Sequence, residues 1–237
     1  MEFGYYKIKG IGEPLRWIFL HFGLNVTEWN PVDQADWEKK AETLGPLASM
    51  PYLKDGGLVL SETSKIPSTI PYYLIEKAGK PEFLGTNSTE RAQVSMVDNI
   101  LADIRQKCFN ILEMPAGADH KSEIRALFCE SGPVYKRIKE LSEMLSEKDF
   151  MFGHLTLADL MITFTARFTG AVCYSLIGYS PYARFSNIVA LMARVSNLPG
   201  IKQRLDSATN APYLPANIVP FKLLNFQEMI DLGMKPI

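Results

Sequence analysis

Cysteine is scarce in this chain. Its 237 residues include three, Cys108, Cys129 and Cys173, an odd number at wide spacing. That pattern builds neither a disulfide framework nor a zinc knuckle, and it fits a reducing compartment. An excess of one charge is also missing, because 25 basic and 26 acidic residues leave a formal charge of -1 with the signs well mixed. Such a surface has no field to collect phosphate backbones or anionic lipid, so the expected partners include no nucleic acid and no membrane. The start, Met-Glu-Phe-Gly-Tyr-Tyr-Lys, lacks the basic residues and apolar run of a signal peptide. No apolar run reads as long enough to cross a bilayer. Histidine is sparse too. His21, His120 and His154 never come in pairs at metal-ligand spacing, so no metal is expected. Repeats and low-complexity segments are absent. The expectation is a cytoplasmic protein whose 47% hydrophobic content can fill one or two cores, and two is the working number.

What is present falls into two halves. Residues 2–8 (EFGYYKI) read as a strand, 13–23 (EPLRWIFLHFG) as a helix closed by Gly23, and 25–29 (NVTEW) as a second strand. Residues 34–43 read as a short polar helix or loop. The stretch MPYLKDGGLVLSET, 50–63, is a hairpin turning on Asp55-Gly56-Gly57, since aspartate and glycine tolerate the positive φ of tight turns. Residues 62–78 start as a helix that Pro67 and Pro71 are expected to break. Gly79 to Gly85 is rich in turn residues, and Asn87 with Glu90 suits a capped helix start. Beyond it the spacing predicts helices over 88–112, 121–145, 156–173, 184–195 and 199–207. Thr156 with Asp159 caps the most apolar of them. The proline-punctuated tail from Pro212 keeps Phe221, Leu223, Leu224 and Phe226, so it is expected to lie against the body.

A small mixed sheet followed by helices, with Gly4-Tyr5-Tyr6, Trp37, Met50-Pro51, Glu62-Thr63, Phe152-Gly153 and Thr156 to Asp159 in this order, resembles the cytosolic glutathione transferases over nearly the whole chain. Tyrosine at the end of the first strand makes it similar to the tyrosine-type mu and sigma classes. The resemblance implies a thioredoxin-like α/β domain over 1–80 that binds glutathione, a linker at 81–87 and an all-α domain over 88–237. It implies a glutathione transferase that conjugates the thiolate to a hydrophobic electrophile, or a glutathione-dependent isomerase of the same fold. Glutathione is then a co-substrate, and no cofactor is needed. A non-catalytic ligand carrier or structural subunit is the alternative, suggested by the residues that depart from the family pattern.

Site residues follow from the resemblance one by one. Met50 pairs its main chain with the cysteinyl part of glutathione, a form of sheet-edge recognition, and Pro51 is cis; by itself the pair reads as a proline opening a strand. Thr63 offers an N–H and a hydroxyl to the γ-glutamyl carboxylate, where the positive end of a helix also attracts an anion. Glu62 stands where glutamine is usual and pairs with the γ-glutamyl ammonium. The same two residues also read as an ordinary helix cap. Tyr5 donates a hydrogen bond to the thiol sulfur, which favours the nucleophilic thiolate. Tyr6, pointing to the other face, competes for that role by adjacency and otherwise lines the glutathione pocket. Trp37 belongs to the pocket, but the lysine expected four residues on is Ala41, leaving Lys40 as substitute unless it is a solvated surface lysine. A basic residue sometimes found soon after the tyrosine falls at Ile11, with Lys9 and Arg16 as neighbours that compensate. Asp103 matches an aspartate that reaches the ammonium of glutathione in a partner subunit, which implies a homodimer. The electrophile pocket is expected between the Ile8–Ile11 loop, the Ile104–Phe109 stretch and the tail. The Pro67 and Pro71 insertion is expected to disturb either Glu62 and Thr63 or the dimer interface.

Overall fold

The computed structural model describes residues 1–61, 69–207 and 212–214. Glu62, Thr63, Pro67 and the apolar tail residues Phe221, Leu223, Leu224 and Phe226 lie outside them. Four strands form one sheet in the order β2-β1-β3-β4, from β1 (Glu2–Gly4), β2 (Thr27–Trp29), β3 (Tyr52–Asp55) and β4 (Leu58–Ser61). β1 and β2 are parallel, while β3 runs antiparallel to both β1 and β4. The helix between β1 and β2 is α1 (Glu13–His21), and α2 (Gln34–Glu42) links β2 to β3. Gly56 turns the hairpin at φ 58°, a conformation that costs a residue without Cβ nothing.

α3 (Thr69–Lys77) follows the sheet, and among the described residues six α-helices come next: α4 (Ser88–Leu112), α5 (His120–Phe128), α6 (Pro133–Leu145), α7 (Leu157–Ile177), α8 (Ser186–Ser196) and α9 (Ile201–Ser207). α4 and α7 pack most closely on each other, with α5 and α8 against α7. α1 joins the two halves. It packs on α3, α7 and α9, and Trp17 meets Phe164 of α7 edge to face at 6.3 Å. A mixed sheet with covering helices, then helices alone, is the expected fold class.

Several boundaries differ from the sequence expectation, each for a local reason. The first strand stops at Gly4 instead of running to Ile8, because the next residues turn into a 3-10 segment at Gly10–Gly12. The helix expected over 121–145 is two helices, parted where Gly132 and Pro133 start α6. Pro71 does not break α3, of which it is the third described residue. α7 is long and apolar enough to cross a membrane, yet 83% of its apolar window is buried inside the fold. Asp159 serves as foreseen, accepting the Thr156 amide at 2.8 Å and hydroxyl at 2.9 Å and the Met151 amide at 2.7 Å. At α4, Asn87 accepts the Glu90 amide at 3.0 Å.

Candidate active site

The site is built around Tyr5, one residue past the end of β1. Its amide donates to the Trp29 carbonyl at 3.1 Å, and its carbonyl accepts the Asn30 side chain at 2.8 Å. The β2 side thus holds its backbone twice. The ring lies on the face of Phe3, with centroids 6.4 Å apart, and is buried. Burial pushes the phenol up to about 12, although the backbone of Ile11 and the charge of Arg16 pull the other way. The phenol therefore stays protonated at neutral pH. A neutral phenol keeps a hydroxyl proton that it can donate.

Close approach of the next loop makes this possible. A Cβ on Gly10 would overlap the Tyr5 hydroxyl, and one on Gly12 would come within 2.5 Å of Tyr5 Cδ1. Gly10 also has φ 44°. Gly4 is bare for a reason on the opposite face, where the Tyr52 ring fills the space its Cβ would need. The sequence carries this signal as Gly4-Tyr5 and Gly10-Ile11-Gly12.

β3 brings Met50 and Pro51 to the same end of the sheet. Gly4 pairs with Tyr52, so antiparallel continuation sets Tyr5 opposite Pro51, with Met50 just beyond. The Met50-Pro51 peptide is cis. Among the described residues neither the Met50 amide nor its carbonyl has a backbone partner, which leaves a peptide-like edge for a ligand. Tyr6 is 36% exposed and meets Tyr5 edge to face at 5.9 Å.

Other expected residues are placed elsewhere. Trp37 of α2 stacks on Tyr52 at 6.2 Å and lies 6.4 Å from Trp29. Lys40 is drawn to the far end of β1, where it pairs with Glu2 at 2.8 Å and lies 5.3 Å over the Trp29 ring. Tyr52 donates to the same Glu2 carboxylate at 2.8 Å. Asp103 is on the exposed side of α4, paired with Lys107 at 2.6 Å, and borders an open groove with Met96, Ile100 and Arg137. Ile104 is fully buried in the core. Phe109 stacks on Phe168 at 4.9 Å, and Phe168 in turn meets Tyr213 at 5.9 Å.

Two basic residues lie beneath the Tyr5 loop. Arg16 and Lys9 are 2% and 3% exposed. The Lys9 ammonium stands 4.7 Å over the Tyr213 ring. Burial pulls it down to about 8, opposed by Glu13 and reinforced by Arg167 and Arg204. Glu13, itself buried, accepts from Trp17 at 3.2 Å and from Arg204 at 2.8 Å.

No protein-family model matches the chain. It is 26% identical over 216 residues to the class-mu 26 kDa glutathione S-transferase isozyme of Schistosoma mansoni, covering 87% of this chain and 88% of that protein. It is also 26% identical over 212 residues to a class-mu 26 kDa isozyme of Fasciola hepatica, covering 87% and 86%. Among solved structures, rat hPGDS complexed with a quinoline superposes with a TM-score of 0.70 at 22% identity, over 90% of this chain and 98% of that one. The glutathione S-transferase of Ascaris lumbricoides does so with a TM-score of 0.67 at 26% identity, over 90% and 98%.

Proposed function

We propose, for a chain that is a cytosolic glutathione transferase similar to the mu class, that Tyr5 activates the glutathione thiol. The observation that supports this most is the placement of the phenol: a buried ring past the end of β1, with Gly10 and Gly12 packed on it and the cis Met50-Pro51 peptide at the same end of the sheet. A thiol with a pKa of about 8.5 is mostly protonated at neutral pH, and only the thiolate is a good nucleophile. A hydrogen bond to a charged group contributes about 1.5 to 3 kcal/mol, which lowers a thiol pKa by about one to two units. The sulfur then bonds to the electrophilic atom of a hydrophobic acceptor, and the leaving group departs with its bonding pair.

Met50 supplies main-chain pairing to the cysteinyl part, Pro51 sets its direction, and Tyr6 and Trp37 flank the peptide. Lys40 reaches the glycyl carboxylate only by exchanging Glu2 for it. Glu62 and Thr63 hold the γ-glutamyl end in this reading. Residues 1–80 form the glutathione-binding domain, 81–87 the linker and 88–237 the helical domain. We also place the protein in the cytoplasm as a homodimer, with Asp103 reaching the partner's glutathione.

Capture on immobilised glutathione, followed by conjugation of a generic aryl halide, tests the reading. The wild type binds and turns over, and Tyr5→Phe still binds while turnover falls by a factor of about ten or more. Binding without turnover would make the chain a carrier. An unchanged rate in Tyr5→Phe, with product release excluded as the slow step, would move the role to Tyr6.

A further inference from the structure

Arg16 of α1 reaches back under the loop that follows Tyr5. Its Nη1 donates to the Ile8 carbonyl at 2.7 Å, and its Nη2 to the Tyr6 carbonyl at 3.2 Å. Its Nε lies 3.0 and 3.2 Å from the two carboxylate oxygens of Glu28 on β2. Nη1 is also 3.4 Å from Glu13. The guanidinium carbon stands 5.5 Å from the Phe3 ring centre and 5.8 Å from that of Tyr5. One planar group therefore ties the turn after Tyr5 to both β2 and α1.

The loop is held from the other side as well. Lys9 donates its amide to the Pro212 carbonyl at 2.8 Å, and Gly10 donates to the Tyr213 carbonyl at 2.9 Å. Gly10 among these anchored residues and Gly12 just beyond them lie so near the Tyr5 ring that a Cβ on either would overlap it. The charged and titratable groups around the loop are Arg16, Glu13, Glu28, Lys9, Tyr6, Tyr213, Arg167 and Arg204.

We infer that Arg16 is a positioning residue for the thiol chemistry: by holding the Tyr6 and Ile8 carbonyls it keeps Gly10 and Gly12 packed on the Tyr5 ring and so aims the hydroxyl at the sulfur. The inference rests on the assignment of Tyr5 to the thiol. Lysine cannot replace the guanidinium, because a point charge on a flexible stem lacks the fixed fork that meets two carbonyls and a carboxylate together. A mere brace for the fold would change stability alone. A positioning residue changes how strongly the bound thiol ionises, and only through the Tyr5 hydroxyl.

The experiment follows the ultraviolet absorbance of the bound thiolate against pH in wild type, Arg16→Lys, Tyr5→Phe and the double variant. Arg16→Lys is expected to raise the apparent thiol pKa by about half to one unit, and to add nothing once the Tyr5 hydroxyl is gone. An unchanged pKa in Arg16→Lys overturns the inference, and so does an equal shift with and without that hydroxyl. If Arg16→Lys fails to fold, Glu28→Gln loosens the same guanidinium from a partly exposed position. A smaller shift of the same sign that needs Tyr5 supports the inference, and no shift overturns it. Wild type and Tyr5→Phe ionising alike overturns the Tyr5 assignment and this inference with it. A difference between those two with no response at Arg16 overturns this inference alone.

Discussion

Gly12 has an ordinary backbone conformation, so its size alone is what the site uses. Gly12→Ala places a methyl within 2.5 Å of the Tyr5 ring, and the ring must move because the backbone on both sides of it is bonded. Overpacking of this kind costs about 1 to 3 kcal/mol. Turnover of Gly12→Ala is expected to fall about tenfold or more while circular dichroism remains that of the wild type; full activity would show that the ring yields without consequence. Lys9 gives a pH effect of known sign. Its folded value of about 8 lies below its ordinary value of 10.5, so between these pH values the unfolded chain holds a proton that the folded chain has released. Stability therefore rises with pH across that window, and the full penalty is present below pH 8. Relative to Lys9→Met, the wild type is expected to gain up to about 3 kcal/mol between pH 8 and 10.5. Denaturant titrations at several pH values check this, and parallel curves for the two proteins would contradict it. At this scale the hairpin that carries Met50 and Pro51 was legible, because its Asp55-Gly56-Gly57 turn is marked in the sequence, whereas the roles given to Tyr5, Met50 and Pro51 came with the family resemblance. The commitment of Lys40 to Glu2 was not legible, because a pairing across 38 residues depends on sheet register.

Helices were more legible than strands. Apolar spacing of three and four residues marked α4 and α7 to within a few residues, and the caps at Asn87 and Thr156 were visible as letters. β1 was overrun because Tyr5, Tyr6 and Ile8 carry strand-forming side chains, whereas the close approach of Gly10 and Gly12 to the Tyr5 ring decides the path. The break before α6 was missed because apolar periodicity continues across Gly132-Pro133, and a Cβ on Gly132 would strike the Leu127 carbonyl. The start of α7 supplies an element-scale test. Asp159→Ala orphans two amides and a hydroxyl in a buried position, which should lower unfolding free energy by about 2 to 4 kcal/mol. Thiol ionisation in the folded variant should remain that of the wild type. Chemical unfolding measures the first and thiolate absorbance the second, and a loss under about half a kcal/mol would show that water replaces the cap.

The whole molecule brings β1, β3 and the segment at 212–214 to one end of the sheet, and α1 connects that end to the helices. Fold class was legible because the order of elements is local information. The completion of the site was not, since it depends on residues that meet only after folding, such as Arg204 with Glu13, 191 positions apart. The proposed dimer belongs to this scale. Sedimentation at micromolar concentration is expected to give a dimer, and Asp103→Asn to weaken glutathione binding by about 1 to 3 kcal/mol without unfolding the subunit. A monomer, or a variant with native affinity, would leave Asp103 as the surface partner of Lys107. The central claim, that a buried neutral tyrosine stabilises the glutathione thiolate, is tested most directly by titrating the bound thiol in wild type and Tyr5→Phe. A pKa lower in the wild type by about one to two units is the predicted result. Identical titration curves for the two proteins would contradict the account.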